Sequence, residues 1–160
     1  MKNNHLHICL FRPEIPQNTG STARLAAATQ CRLHLIKPLG FDTSDRNLRR
    51  AGLDYWPYLD LEIHDSLEQF LEISKGPIAL MSKHGTKHYT EIPADCRTII
   101  FGQETKGLPD EVRAKHHEKL YRLPMFHPQV RSINLASAVA IVTYHQMNQL
   151  GCFAVNPKFC

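Results

Sequence analysis

Long apolar runs are missing from this 160-residue chain. No window approaches the roughly 18 uninterrupted apolar residues of a membrane-spanning helix. The apolar stretch of the N-terminal MKNNHLHICLFRPE is too short for a signal peptide and stops at Arg12-Pro13. A cytoplasmic protein without membrane association is expected. Paired cysteines are missing too. The five present (Cys9, Cys31, Cys96, Cys152, Cys160) are odd in number, widely spaced and never in a CxxC pair. That argues against a disulfide framework or a zinc site and for a reducing compartment. Ten histidines include no HExxH spacing, and the adjacent pair His116-His117 would diverge by roughly 100° on a helix. No metal is expected. A GxGxxG fingerprint is also absent, which leaves a nicotinamide reading without support.

What is present is ordinary globular material. Hydrophobic residues make up 42%, enough for a core, and the length fits one domain over 1–160. The net charge of +4 and pI near 8.9 give a mild bias toward polyanions. Short apolar runs alternate with amphipathic segments. Strands are expected at Leu6–Phe11, Arg32–Ile36, Leu59–Ile63, Pro77–Met81, Thr98–Phe101 and Lys119–Leu123. Helices are expected from Asn18 through Ala28, over Arg46–Ala51, Ser66–Ile73 with Ser66 as cap, Pro109–Lys115, and Asn134–Leu150 closed by Gly151. The last ten residues, 151–160, read as a loose tail. The alternation predicts an α/β domain, a mainly parallel sheet with helices on both faces. Ligands of such sheets bind at the carboxyl ends of strands. Three loops qualify, Ser82–Gly85, Gly102–Gly107 and Pro124–Ser132.

The middle loop, Gly102-Gln-Glu-Thr-Lys-Gly107, has P-loop glycine spacing but continues Leu108-Pro109 in place of Lys-Ser/Thr. Nucleotide hydrolysis is therefore disfavoured. Glu104 would also repel a phosphate. A neutral or cation-bearing ligand fits better. In the third loop, Ser132 or Asn134 is placed to cap the long helix, whose first N–H groups face that loop.

Three ordered stretches carry a family resemblance. They are Asn18-Thr-Gly with Arg24, Phe101-Gly-Gln-Glu-Thr-Lys-Gly-Leu-Pro109, and Leu123-Pro-Met with Arg131-Ser-Ile-Asn-Leu-Ala-Ser-Ala-Val139. Together they resemble the SPOUT methyltransferases. Arg49-Arg-Ala-Gly-Leu-Asp-Tyr55 is similar to the subgroup (TrmL, or YibK) that methylates the ribose 2′-hydroxyl at the tRNA wobble position. The likeness runs from about Ile8 to Gly151. It implies a C-terminal trefoil knot, S-adenosylmethionine as cofactor, tRNA (the anticodon stem-loop) as substrate, and a homodimer. It also implies cofactor contacts from Leu80, Gly102, Glu104, Gly107, Leu123, Ser132 and Leu135, with Gly102 letting the backbone approach the cofactor. Hydroxyl activation falls to Arg24, with Ser132 and Asn134 orienting ribose or arginine. A guanidinium stays protonated at neutral pH, so Arg24 suits clamping a phosphate or a developing alkoxide better than acting as a base. RNA contacts are expected from Asn18, Arg49, Arg50, Lys83 and Tyr144, with Arg46, Lys87 and His88 as further phosphate partners. The chain departs from the subgroup at Ser21-Thr-Ala, at His145 after Tyr144, and in a loop at 126–130 one residue longer. Two alternatives remain: a ribose methyltransferase for another tRNA or rRNA site, and a non-catalytic RNA-binding or assembly factor on the same fold.

Overall fold

A computed structural model describes residues 6–44, 46 and 53–154. Seven strands, β1 (His7–Phe11), β2 (Arg32–Ile36), β3 (Leu61–His64), β4 (Ile78–Met81), β5 (Lys87–His88), β6 (Thr98–Phe101) and β7 (Leu120–Arg122), form one sheet. Its order is β3-β2-β1-β6-β4-β7-β5, and every pairing is parallel. Among the described residues, four helices flank it: α1 (Pro16–Thr29), α2 (Leu67–Ile73), α3 (Asp110–Lys115) and α4 (Leu135–Gln149).

Side-chain alternation along the strands builds two cores, one on each face. Ile8, Leu10, Leu33, Leu35, Ile99 and Phe101 pack against Ala23 and Ala26 of α1 and Val139 and Val142 of α4. The intervening residues Cys9, Phe11, Ile36, Leu80, Ile100 and Leu120 pack against Leu67 and Phe70 of α2 and against Leu108. Small residues on α1 and α4 let the two helices lie side by side, and Gln146 of α4 donates to the carbonyls of Pro93 (2.8 Å) and Cys96 (2.9 Å). The last long helix is thereby anchored beside the entry to β6.

The expected elements appear, with shifted edges. α1 opens at Pro16, two residues before Asn18, because proline suits the first helical turn. β3 runs Leu61–His64 rather than Leu59–Ile63: Asp60 instead accepts from Leu33 N–H and pairs with Arg32. Ser66 caps α2 by accepting from Gln69 N–H, and Asn134 caps α4 by accepting from Ser137 N–H. Several short elements escaped the sequence, among them the 3-10 turns Tyr89–Glu91 and His117–Lys119. The 3-10 helix Leu53–Tyr58 holds Pro57, and β5 has two polar residues with no apolar signal. The helix expected over Arg46–Ala51 lies mostly outside the described residues. In the expected tail, Gly151 takes a left-handed conformation (φ 72°) and Cys152–Ala154 forms one 3-10 turn; 155–160 lie outside the described residues.

Candidate active site

Strands β6, β4 and β7 are neighbours in the sheet, so the loops leaving their carboxyl ends stand side by side. Together with the start of α4 they enclose a cleft of about 530 Å³, within the range of about 300–1,000 Å³ typical of small-molecule sites. Met81, Phe101, Leu108, Leu123, Leu135 and Ala138 give it apolar surface. Ser82, Gln103, Thr105, Ser132 and Asn134 give it polar groups.

A carboxylate holds the three motifs together. Glu104 accepts from the backbone N–H groups of Glu14 (2.8 Å) and Ile15 (3.1 Å) and from Asn18 Nδ2 (3.3 Å). These donors sit at the amino end of α1, where a negative charge is favoured. Asn18 Oδ1 in turn accepts from Asn134 Nδ2 at 2.9 Å, and Asn134 Oδ1 caps α4. Glu14 returns the favour by accepting from Thr105 N–H (3.0 Å) and Thr105 Oγ1 (2.9 Å). One hydrogen-bonded chain therefore runs from the loop after β6 through α1 to α4.

Gly102 has a requirement internal to its own loop. The loop folds back on itself through paired bonds between Gln103 and Gly107 (3.1 and 3.0 Å). A Cβ at Gly102 would lie 2.4 Å from the Gly107 carbonyl carbon and 2.5 Å from Leu108 N. The loop's own backbone excludes a side chain here, whether or not a ligand approaches. Gly107 sits at φ 68°, in the left-handed region that glycine enters at no steric cost.

Of the residues the resemblance implicates in cofactor contact, Gly102, Glu104, Gly107, Leu123, Ser132 and Leu135 line the cleft. Leu80 is fully buried in β4, one residue short of the rim formed by Met81 and Ser82. Asn18 lines the cleft but is buried at 7% exposure and bonded to both Glu104 and Asn134. Lys83 lines the cleft and also a second groove of about 420 Å³, where His84, Arg122 and Arg131 join it. Arg24 and Tyr144 do not line the cleft. The Arg24 guanidinium lies 4.9 Å over the Tyr55 ring and donates to the Tyr55 hydroxyl at 3.2 Å. Tyr144 stacks on Phe153 with ring centres 6.0 Å apart. His145 meets Tyr89 edge-on. Arg49 and Arg50 lie outside the described residues.

Two features escaped the sequence reading. Glu14 gives no local signal, since its partner Thr105 is 91 residues away. A set of histidines, His7, His34 and His64, lies across β1, β2 and β3. Burial, then the neighbouring His7 and His64, push the His34 pKa down to about 3, so its ring is neutral at physiological pH.

Among known proteins, residues 5–144 match the SpoU rRNA Methylase family. The chain belongs to the SpoU methylase family. A tRNA (cytidine(34)-2′-O)-methyltransferase of Methylovorus glucosotrophus is 42% identical over 145 residues, covering 89% of this chain and 94% of its own. One of the same name from Saccharophagus degradans is 42% identical over 149 residues, covering 91% and 96%. A solved structure described as giving structural insights into the 2-OH methylation of C/U34 on tRNA superimposes with a TM-score of 0.85. It is 44% identical and covers 94% of this chain and 99% of that one. The SpoU fold thus spans nearly the whole chain, and the motif loops are the part of it that builds the cleft.

Proposed function

We propose that this SpoU-family chain transfers a methyl group from S-adenosylmethionine to the ribose 2′-hydroxyl of the tRNA wobble nucleotide, position 34. The observation that carries the reading is the likeness, above 40% identity over about nine-tenths of the chain, to relatives named for that reaction. It favours the wobble ribose over an rRNA site. The cleft fits the cofactor. Its apolar surface from Phe101, Leu108 and Leu135 suits an adenine ring, and loop backbone groups and Ser132 suit the polar edges.

S-adenosylmethionine, when bound, supplies a methyl group on a sulfonium leaving group. The protein must then hold the ribose hydroxyl in line with that methyl and stabilise the oxygen as it loses its proton. Ser132, exposed at the cleft rim, orients the ribose. Asn134 keeps the amino end of α4 in place, through its cap and its bond to Asn18. Glu104 positions the loop through the backbone donors of Glu14 and Ile15. Lys83, His84, Arg122 and Arg131 form a cationic groove beside the cleft that suits tRNA phosphates.

Arg24 completes the site from a second copy of the chain. Along α1, Arg24 lies six residues beyond Asn18, about 9 Å further on and about 120° round the helix. With Asn18 turned to the cleft, Arg24 of the same chain faces Tyr55 instead. A two-fold dimer would present each Arg24 to its partner's cleft. Half-exposed apolar residues beside these helices, Ile15, Ile141 and Tyr144, support such a contact. The C-terminal segment is threaded as a trefoil knot. The position of β6 between β1 and β4, and the anchoring of α4 at Pro93 and Cys96, support this.

Incubation of the protein with methyl-labelled cofactor and unmodified tRNA tests the reading. Label should appear on ribose, in dinucleotides that resist alkaline cleavage. Label on a base, or transfer to rRNA alone, would overturn it. Cofactor binding without any transfer would favour a non-catalytic RNA-binding role.

A further inference from the structure

We propose that His34, Glu62 and His64 form a binding site for a divalent transition-metal ion of the zinc class, at the sheet edge remote from the methyl-transfer cleft. The inference is independent of the proposed reaction. Among the described residues, one ligand atom from each of these three side chains lies within 4.8 Å of the others. The donors come from adjacent parallel strands. In register, His34 of β2 stands opposite Glu62 of β3, and Ile36 opposite His64. Glu62 and His64 are two apart on a strand, so both project to the face that carries His34. The usual helical metal spacing is absent from the sequence. Strand spacing and cross-strand register supply the grouping instead.

The donor set suits such an ion. His34 Nδ1 and His64 Nε2 share a hydrogen bond at 2.9 Å, and Glu62 Oε2 lies 3.7 Å from His34 Nδ1; the ion would take the place of the shared proton. Two nitrogens bound to one tetrahedral zinc stand roughly 3.3 Å apart, given bonds of about 2.0–2.1 Å. To bind one ion the imidazoles must separate by a few tenths of an ångström and turn their facing nitrogens toward it, and β3 is an edge strand that can yield. His34 and His64 are 2% and 4% exposed, and the Phe70 ring packs against both at 4.8 and 5.2 Å. Glu62 is about half exposed, at 47%, which leaves the remaining coordination position to water.

The surroundings favour the ion as well. A metal-bound histidine ordinarily donates its second ring N–H to an acceptor that fixes its tautomer. With the ion on Nδ1, the Nε2–H of His34 donates to His7 Nδ1 at 2.8 Å. The neighbouring cations are already occupied. Arg32 pairs with Asp60 at 2.7 Å and Lys37 with Asp65 at 2.9 Å. Glu62 pairs with no lysine or arginine among the described residues. The ion would clasp β2 to the edge strand β3 and leave the cleft on β6, β4 and β7 untouched.

The test uses the full chain freed of metal by a chelator and titrated with Co²⁺, a spectroscopic substitute for zinc. One equivalent per chain should bind and give the visible bands of four-coordinate cobalt, without the charge-transfer band of a thiolate ligand. Zn²⁺ should displace it and raise the melting temperature by roughly 5–10 °C at a hundredfold excess over its Kd. Mg²⁺ should not compete. His7→Leu should weaken binding about 10- to 100-fold by removing the acceptor behind His34. His64→Gln should abolish the spectrum. Glu62→Gln alters a half-exposed side chain, leaves the fold intact and should also abolish the four-coordinate bands. Absence of a one-to-one spectrum, a thiolate band, or a spectrum that survives Glu62→Gln would each overturn the site.

Discussion

A carboxylate beside a ligand cleft can act on the ligand or on the protein. Glu104 spends its oxygens on two backbone N–H groups of the segment entering α1 and on the side chain of Asn18, so its work is architectural. Gly102 shows the same logic in the backbone, because the loop occupies the space a side chain would need. We predict that Gly102→Ala forces this loop open. The cost is about 1–3 kcal/mol of stability, and the affinity for S-adenosylmethionine in calorimetry should fall at least about tenfold. An unchanged Kd in the alanine variant would show that the loop shape is not needed for binding. Arg24 calls for a different comparison. If it acts by charge, Arg24→Lys should keep part of the turnover and Arg24→Ala very little, with cofactor affinity unchanged in both; near-normal turnover of Arg24→Ala would remove it from the reaction. The motif residues stood out only through their resemblance to a family pattern. Their partners did not, since the bonds among Glu104, Asn18 and Asn134 bridge 86 and 116 residues of chain.

At the scale of elements, the sequence spoke clearly where a strand is buried on both faces. Arg32–Ile36 and Thr98–Phe101 stand where their apolar runs place them. It was silent about β5, whose two polar residues pair only with β7. It also could not show that Glu62 and His64 meet His34, because that depends on the register between β2 and β3. The strands explain the cysteines too. Cys9 is fully buried within β1, and Cys31 and Cys96 are buried just before β2 and β6. Burial raises all three thiols, Cys31 to about 11. A raised thiol stays protonated, and therefore unreactive, until the pH approaches its new value. At pH 8 these three should resist a thiol reagent in the native protein and react once urea unfolds it, as read by mass spectrometry of the labelled peptides. Rapid labelling of Cys9 in the native state would contradict the two-faced core.

For the molecule as a whole, the sheet order brings three distant loops to one edge of the cleft, yet Arg24 remains outside it. The proposed shared dimeric site would resolve that separation and can be tested by mixing. We expect Arg24→Ala chains and cofactor-dead Gly102→Val chains each to be inactive alone. Co-expressed at random, about half the dimers are mixed and each of these holds one complete site, so roughly a quarter of wild-type activity should return. Differential tags would confirm the mixed dimers, and their complete inactivity would place Arg24 in its own subunit's site. The reaction itself is tested most directly in the cell, by mapping ribose methylation in tRNA from a strain lacking this chain and from the same strain with it restored. The account predicts that 2′-O-methylation disappears at nucleotide 34 of particular tRNAs and returns on complementation. Methylation intact at nucleotide 34, with loss at another tRNA or rRNA position, would contradict it.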